Sequence, residues 1–144
     1  MLRRHHEQAA TDLALALRLL LRRIRTAAPA AAHELSWTQM AVVKRLDAEG
    51  PATTADLARA EAMKPQSMGA TIAALEALDL IERTPHPTDG RQMRIALTAR
   101  GTAMRKSALD AKRTWLAQAI ARLDAADQKS LPAVTALITR LAER

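Results

Sequence analysis

Thr53-Thr54-Ala55-Asp56-Leu57-Ala58-Arg59-Ala60-Glu61-Ala62-Met63-Lys64-Pro65-Gln66-Ser67-Met68-Gly69-Ala70-Thr71-Ile72-Ala73-Ala74-Leu75-Glu76-Ala77-Leu78 is the stretch on which the fold turns. Thr53 to Asp56 resembles a capping box with aspartate in place of glutamate, opening a helix of barely two turns through Leu57 and Ala58. Pro65 suits the first turn of a second helix, and Met68, Ile72, Leu75 and Leu78 give that helix a buried stripe up to Leu80-Ile81. Glu61 to Lys64 make the turn between them. A short helix, a tight turn and a longer helix in succession have helix-turn-helix spacing.

The face opposite Met68, Ile72 and Leu75 presents Gln66, Ala70, Ala73 and Ala74, with Ser67 on its edge. A solvated helix face is normally filled with Lys, Glu and Arg, so a small neutral face led by Gln and Ser is shaped for close approach to something. A major groove fits: Gln pairs with adenine, Ser serves base or phosphate, and alanine methyls meet thymine methyls. Lys64 at the cap position has no side-chain acceptor, which leaves the first amides of the helix for a phosphate. Gly69 inside this helix costs about 1 kcal/mol relative to alanine and points to close approach of another backbone.

Working outward in the C-terminal direction, Ile81-Glu82-Arg83-Thr84 and Met93-Arg94-Ile95-Ala96-Leu97-Thr98 are strand-like runs around a turn-rich Pro85-His86-Pro87-Thr88-Asp89-Gly90. They predict a β-hairpin that opens at its prolines, which cannot donate to a ladder. Arg83, Arg91 and Arg94, with His86, surround the loop, and Asp89 is placed to hold the Arg91 guanidinium. A loop arginine gains from the potential of a narrow minor groove.

In the N-terminal direction Ser36 is a good N-cap for a helix whose Trp37, Met40, Val43 and Leu46 face inward before Gly50-Pro51 stops it. Leu13, Leu17, Leu20, Leu21 and Ile24 make an apolar stripe on an earlier helix. Beyond Gly101, Met104, Ala108, Ala111, Trp115 and Ala119 line a long helix. After the cap Asp124, the residues Leu131, Val134, Leu137, Ile138 and Leu141 line a last one, with Pro132 in its first turn or kinking it. These terminal helices carry more apolar face than a small reading head needs, so they bury one another or a second copy.

Composition narrows the function. Twenty-two Lys plus Arg against fifteen Asp plus Glu leave a net charge of +7, and a symmetric dimer would carry twice that, +14, a field that attracts polyanions. There is no cysteine, which excludes disulfides, thiolate metal sites and thiol redox sensing. With no Gly-rich phosphate loop and no pair of carboxylates flanking a pocket, an enzyme has nothing to stand on, and no cofactor is expected. The scattered histidines His5, His6, His33 and His86 make no metal site. Leu13 to Leu21 is broken by Arg18 and is too short to span a bilayer, so a soluble cytoplasmic protein with no membrane partner is expected. The rival reading, a helical protein-interaction module, explains the apolar helices but not the arginine hairpin.

Taken together, Leu35-Ser36-Trp37-Thr38, Gly50-Pro51-Ala52-Thr53, Leu57-Ala58, Leu75-Glu76-Ala77-Leu78, Leu80-Ile81-Glu82-Arg83, Asp89-Gly90-Arg91 and Leu97-Thr98-Ala99-Arg100-Gly101 closely resemble the multiple-antibiotic-resistance regulator (MarR) family. The most specific part is Asp89-x-Arg91 followed by a strand and Leu97-Thr98-x-x-Gly101. The resemblance implies a mainly α chain with a small β-hairpin wing. It is one domain over 1–144, with a winged helix-turn-helix region at 35–101 and dimerisation helices at 8–28 and 102–144. It implies a ligand-responsive transcriptional repressor that binds pseudo-palindromic double-stranded DNA as a homodimer. The DNA contacts would come from Ser36, Thr38, Thr53, Lys64, Pro65, Gln66, Ser67, Ala70, Thr71, Arg83, Asp89, Arg91 and Arg94. Many relatives carry arginine where this chain has Ala70. A small aromatic or anionic effector would be met by His33, Trp37 and Met40.

Overall fold

The computed structural model describes residues 1–143; Arg144 lies outside them. In chain order the elements are α1 (Leu2–Thr26), α2 (Ala30–His33), α3 (Trp37–Glu49), β1 (Ala52–Thr53), α4 (Thr54–Ala60), α5 (Pro65–Ala77), β2 (Ile81–Pro85), β3 (Met93–Leu97), α6 (Ala99–Ala121) and α7 (Ala125–Ala142). They fall into two compact units, one spanning Ala28–Asp110 and the other built from the segments before Ala28 and after Asp110.

The core of the first unit is aliphatic, as a chain without Phe or Tyr requires. Val42, Val43 and Leu46 of α3, Leu57 and Ala58 of α4, and Met68, Ile72 and Leu75 of α5 pack with Leu80, Ile81 and Ile95. Trp37 does not join them: it is 76% exposed. The helical wheel explains the difference. At 3.6 residues per turn, position 37 lies about 180° from Leu46, and the buried face is centred on Val42, Val43 and Leu46 rather than on the N-terminal turn. Leu78 also falls outside, 43% exposed, because α5 ends at Ala77 and the chain turns through Asp79 at φ 57°.

Local chemistry sets each boundary. Ser36 closes a full capping box on α3: its Oγ accepts the Gln39 N–H at 3.1 Å, and its own N–H donates to Gln39 Oε1 at 2.9 Å. Thr53 caps α4 through the Asp56 N–H at 3.1 Å. Hydrogen bonding with Thr53, then the Arg59 guanidinium, holds the Asp56 carboxyl below the usual carboxylate range. The turn between α4 and α5 contains Ala62 at φ 52°, a left-handed conformation that costs a non-glycine residue about 1–2 kcal/mol. Arg45 braces that turn against α3, its Nε 2.8 Å from Glu61 Oε1 and its Nη1 3.0 Å from Glu49 Oε1.

The sheet has the order β1-β3-β2, all antiparallel. Its third strand, β1, is two residues long and pairs Ala52 with Ile95 and Thr53 with Arg94. The hairpin does not open at Pro85, which pairs with Met93 in register. The next pair, His86 N–H to the Gln92 carbonyl at 3.0 Å, is hydrogen-bonded. Hydrogen-bonded and non-hydrogen-bonded pairs alternate, so Pro85 falls where a ladder needs no N–H from it.

In the second unit the Arg23 guanidinium lies over the Trp115 ring, 5.8 Å from its centroid. Asp124 caps α7 through the Asp127 N–H at 2.8 Å, and Pro132 sits inside that helix. None of the described residues of α7 is buried. Among the described residues no helix is long and apolar enough to cross a membrane.

Candidate nucleic-acid interface

Helix α5 buries Met68, Ile72 and Leu75 completely and turns Gln66, Ser67, Ala70 and Ala73 to solvent. Ala74 is half-buried, at the margin of that face, as is Thr71, whose Oγ1 donates to the Ser67 carbonyl at 3.1 Å. At the entrance Pro65 occupies the first turn, and Lys64 makes no side-chain cap. Gly69 departs from expectation: a Cβ built there meets nothing within 4 Å, so no backbone of this chain presses on it. Its side of α5 is open space, and the exposed face is shallow for that reason.

The arginines of the hairpin separate into bound and unbound. Arg83 lies on β2, and its Nε is 3.2 Å from Glu76 Oε2, which ties the hairpin base to the C-terminal turn of α5. Arg94 is half-buried, and its Nη2 donates to the Pro51 carbonyl at 3.4 Å. The guanidinium clamp expected from Asp89 does not form. Its Oδ1 accepts the backbone N–H of Arg91 at 3.1 Å instead, closing an Asx-type turn. Among the described residues the Arg91 guanidinium has no acidic partner, and it is exposed at the loop.

Ser36 and Thr53 are occupied as helix caps, and Thr38 is half-buried in the first turn of α3. The effector candidates have different settings. Trp37 and Met40 lie three residues apart on α3, one exposed and the other packed against the core, while the exposed His33 on α2 has Nε2 2.8 Å from the Ala28 carbonyl. Sequence reasoning missed the partners that fix the hairpin, Glu76 and the Pro51 carbonyl, and the acceptor role of His86 in its loop. Only the last had a local signal, a polar ring two and three residues before Thr88 and Asp89.

A short capped helix, a left-handed turn, a helix with an outward small face and a hairpin ending in an unpaired arginine together define a winged helix-turn-helix DNA-binding protein. Comparison with known proteins agrees. The MarR family model matches residues 35–93. An uncharacterised HTH-type transcriptional regulator of Mycobacterium bovis is 34% identical over 134 residues, 93% of this chain and 92% of that protein. The chain belongs to the MarR family. A crystal structure of a putative transcriptional regulator from Pseudomonas aeruginosa superposes with a TM-score of 0.80 at 28% identity, covering 97% of each chain. A MarR-like transcriptional regulator of Thermotoga maritima shares the fold, with a TM-score of 0.75 at 18% identity over 94% of this chain and 97% of that one. This protein is a DNA-binding transcriptional regulator and not an enzyme.

Proposed function

We propose that this regulator is a cytoplasmic, ligand-responsive repressor that binds pseudo-palindromic duplex DNA as a homodimer. In this reading α5 of each copy enters a major groove and the hairpin reaches the flanking minor groove. The observation that carries it is the pairing of a small outward face on α5, led by Gln66 and Ser67, with a hairpin whose Arg91 guanidinium is exposed. Lys64, Pro65, Ala70 and Thr71 complete the contact from α5. Arg83, Asp89 and Arg94 act mainly by setting the hairpin, and Ser36, Thr38 and Thr53 contact backbone phosphates from their helix starts. Exposed Leu15, Leu19, Leu21, Leu137 and Leu141, 50–62% accessible, support burial of the terminal helices by a second copy.

Titration with a preferred duplex, selected by sequencing fragments that the protein retains, tests the reading. Arg91→Ala should weaken binding about tenfold with an unchanged thermal midpoint, and binding should fall steeply with salt. Gln66→Ala should cost about 1–3 kcal/mol against the preferred duplex and much less against random DNA. Sedimentation of the complex should show two chains per site. If Arg91→Ala and Gln66→Ala both match the parent, neither element reads DNA and the proposal fails.

His33, Trp37 and Met40 would meet a small aromatic or anionic effector, with the Trp37 indole as a stacking face. An effector that releases DNA should quench tryptophan fluorescence, and Trp37→Leu should abolish both the quenching and the release. Release that persists at full strength in Trp37→Leu places the effector elsewhere.

A further inference from the structure

The loop between β2 and β3 is built on a histidine. His86 Nδ1 accepts the backbone N–H of Thr88 at 3.3 Å and of Asp89 at 3.2 Å, and Thr88 Oγ1 lies 3.3 Å from the same nitrogen. Asp89 passes the constraint on: its Oδ1 accepts the Arg91 N–H at 3.1 Å, and its carbonyl accepts the Gln92 N–H at 3.0 Å. The Gln92 carbonyl accepts the His86 N–H at 3.0 Å, which closes the circuit. Among the described residues, every hydrogen bond within the loop from His86 to Gln92 therefore runs through His86 or Asp89.

Turns of this kind are ordinarily held by the side-chain oxygen of Asn or Asp, which accepts amides two residues on. An imidazole does so here, and only as the tautomer with its proton on Nε2. Protonation places a hydrogen on Nδ1 and turns the acceptor into a donor facing two other donors. Glu82 of β2 and Arg94 of β3 share the His86 face of the sheet through the strand alternation, and Asp89 and Arg91 flank it in the loop.

We propose that His86 is the positioning residue of the wing: its unprotonated Nδ1 holds the turn that aims Arg91, and protonation of the ring releases that turn and weakens specific DNA binding. The proposal rests on Arg91 being a DNA contact. Charge alone predicts the opposite sign, because an imidazolium near phosphates adds roughly one counterion's worth of attraction in acid. The two effects can therefore be told apart by direction.

The test uses the full chain and its preferred duplex at constant ionic strength, with His86→Asn, which keeps an acceptor but does not titrate, and His86→Ala, which removes it. Between about pH 7.5 and 5.5 the parent should lose roughly tenfold in affinity, in step with loss of exchange protection at the Thr88 and Asp89 amides of the unbound protein. His86→Asn should match the parent at the higher pH and stay flat, and His86→Ala should be weak at both. A merely structural histidine would not give a flat profile on replacement by asparagine. Parent binding that is unchanged or tighter in acid, with Arg91→Ala defective, overturns the role of His86 and leaves the wing reading standing. Arg91→Ala binding as the parent removes the wing reading itself. In that case exchange protection at Thr88 and Asp89 that survives acid also disposes of the turn.

Discussion

Gly101→Ala should destabilise the reading unit by about 3 kcal/mol or more. Gly101 is buried in the first turn of α6, and a Cβ built there overlaps the Leu80 carbonyl oxygen and comes within 3.0 Å of its carbon. That carbonyl cannot swing aside, because it accepts the Thr98 N–H at 3.1 Å. Thr98 is itself committed: its Oγ1 donates to the Asp79 carbonyl at 2.6 Å and accepts the Gly101 N–H at 3.0 Å. An added methyl must push main chain against main chain, and both sides are hydrogen-bonded into the junction. The check is a urea titration, in which the midpoint should fall at unchanged slope. Ala99→Gly, an exposed change in the same turn, should cost no more than about 1 kcal/mol. Equal midpoints for Gly101→Ala and the parent would show that α6 does not start against Leu80 as described.

Ala70→Glu should act on binding alone. Ala70 is exposed on the side of α5 opposite the completely buried Met68, Ile72 and Leu75, so a longer side chain has room in the unbound protein. Glutamate is also a good helix former, and the thermal midpoint should move little. Against a groove lined by phosphates the new carboxylate is a like charge that must be desolvated, which costs several kcal/mol, and affinity should fall by about 100-fold or more for every duplex. The oligomeric state should not change. An Ala70→Glu protein that unfolds or dissociates, or one that binds the preferred duplex undiminished, would remove α5 from the groove.

The features legible in the sequence are those with a strong local period or a strong local cap. Met68, Ile72 and Leu75 repeat at helical spacing and all become core, and Ser36, Thr53, Pro65 and Asp124 mark helix starts where the structure has them. Trp37 was legible as apolar but not as outward, because a tryptophan in a first turn fits either face until the buried centre of α3 is known. Leu78 misled because the turn that ends α5 uses Asp79 in a left-handed conformation, where glycine would have announced it. Strand β1 has no pattern of its own at two residues; only β3, far along the chain, makes it a strand. Asp89-x-Arg91 showed that the pair interacts but not through which nitrogen, and spacing alone does not separate a backbone amide from a guanidinium. Gly69 showed that the helix interior tolerates its cost, while the open space around it is visible only in three dimensions.

The pairing of Ala52 with Ile95 has a kinetic consequence. It closes a loop of roughly forty residues of chain that contains α4, α5, β2 and the hairpin turn, so adding the third strand carries a larger loop-closure entropy than zipping the hairpin. The hairpin alone can zip from its turn, but its third strand is added late and from a distance. Once Thr53 is paired with Arg94 and also capping α4, the end of the sheet and the start of the helix pair share one residue. Opening either exposes the other, so this shared residue disfavours partial states in which β3 peels away from β1 while α4 stays capped.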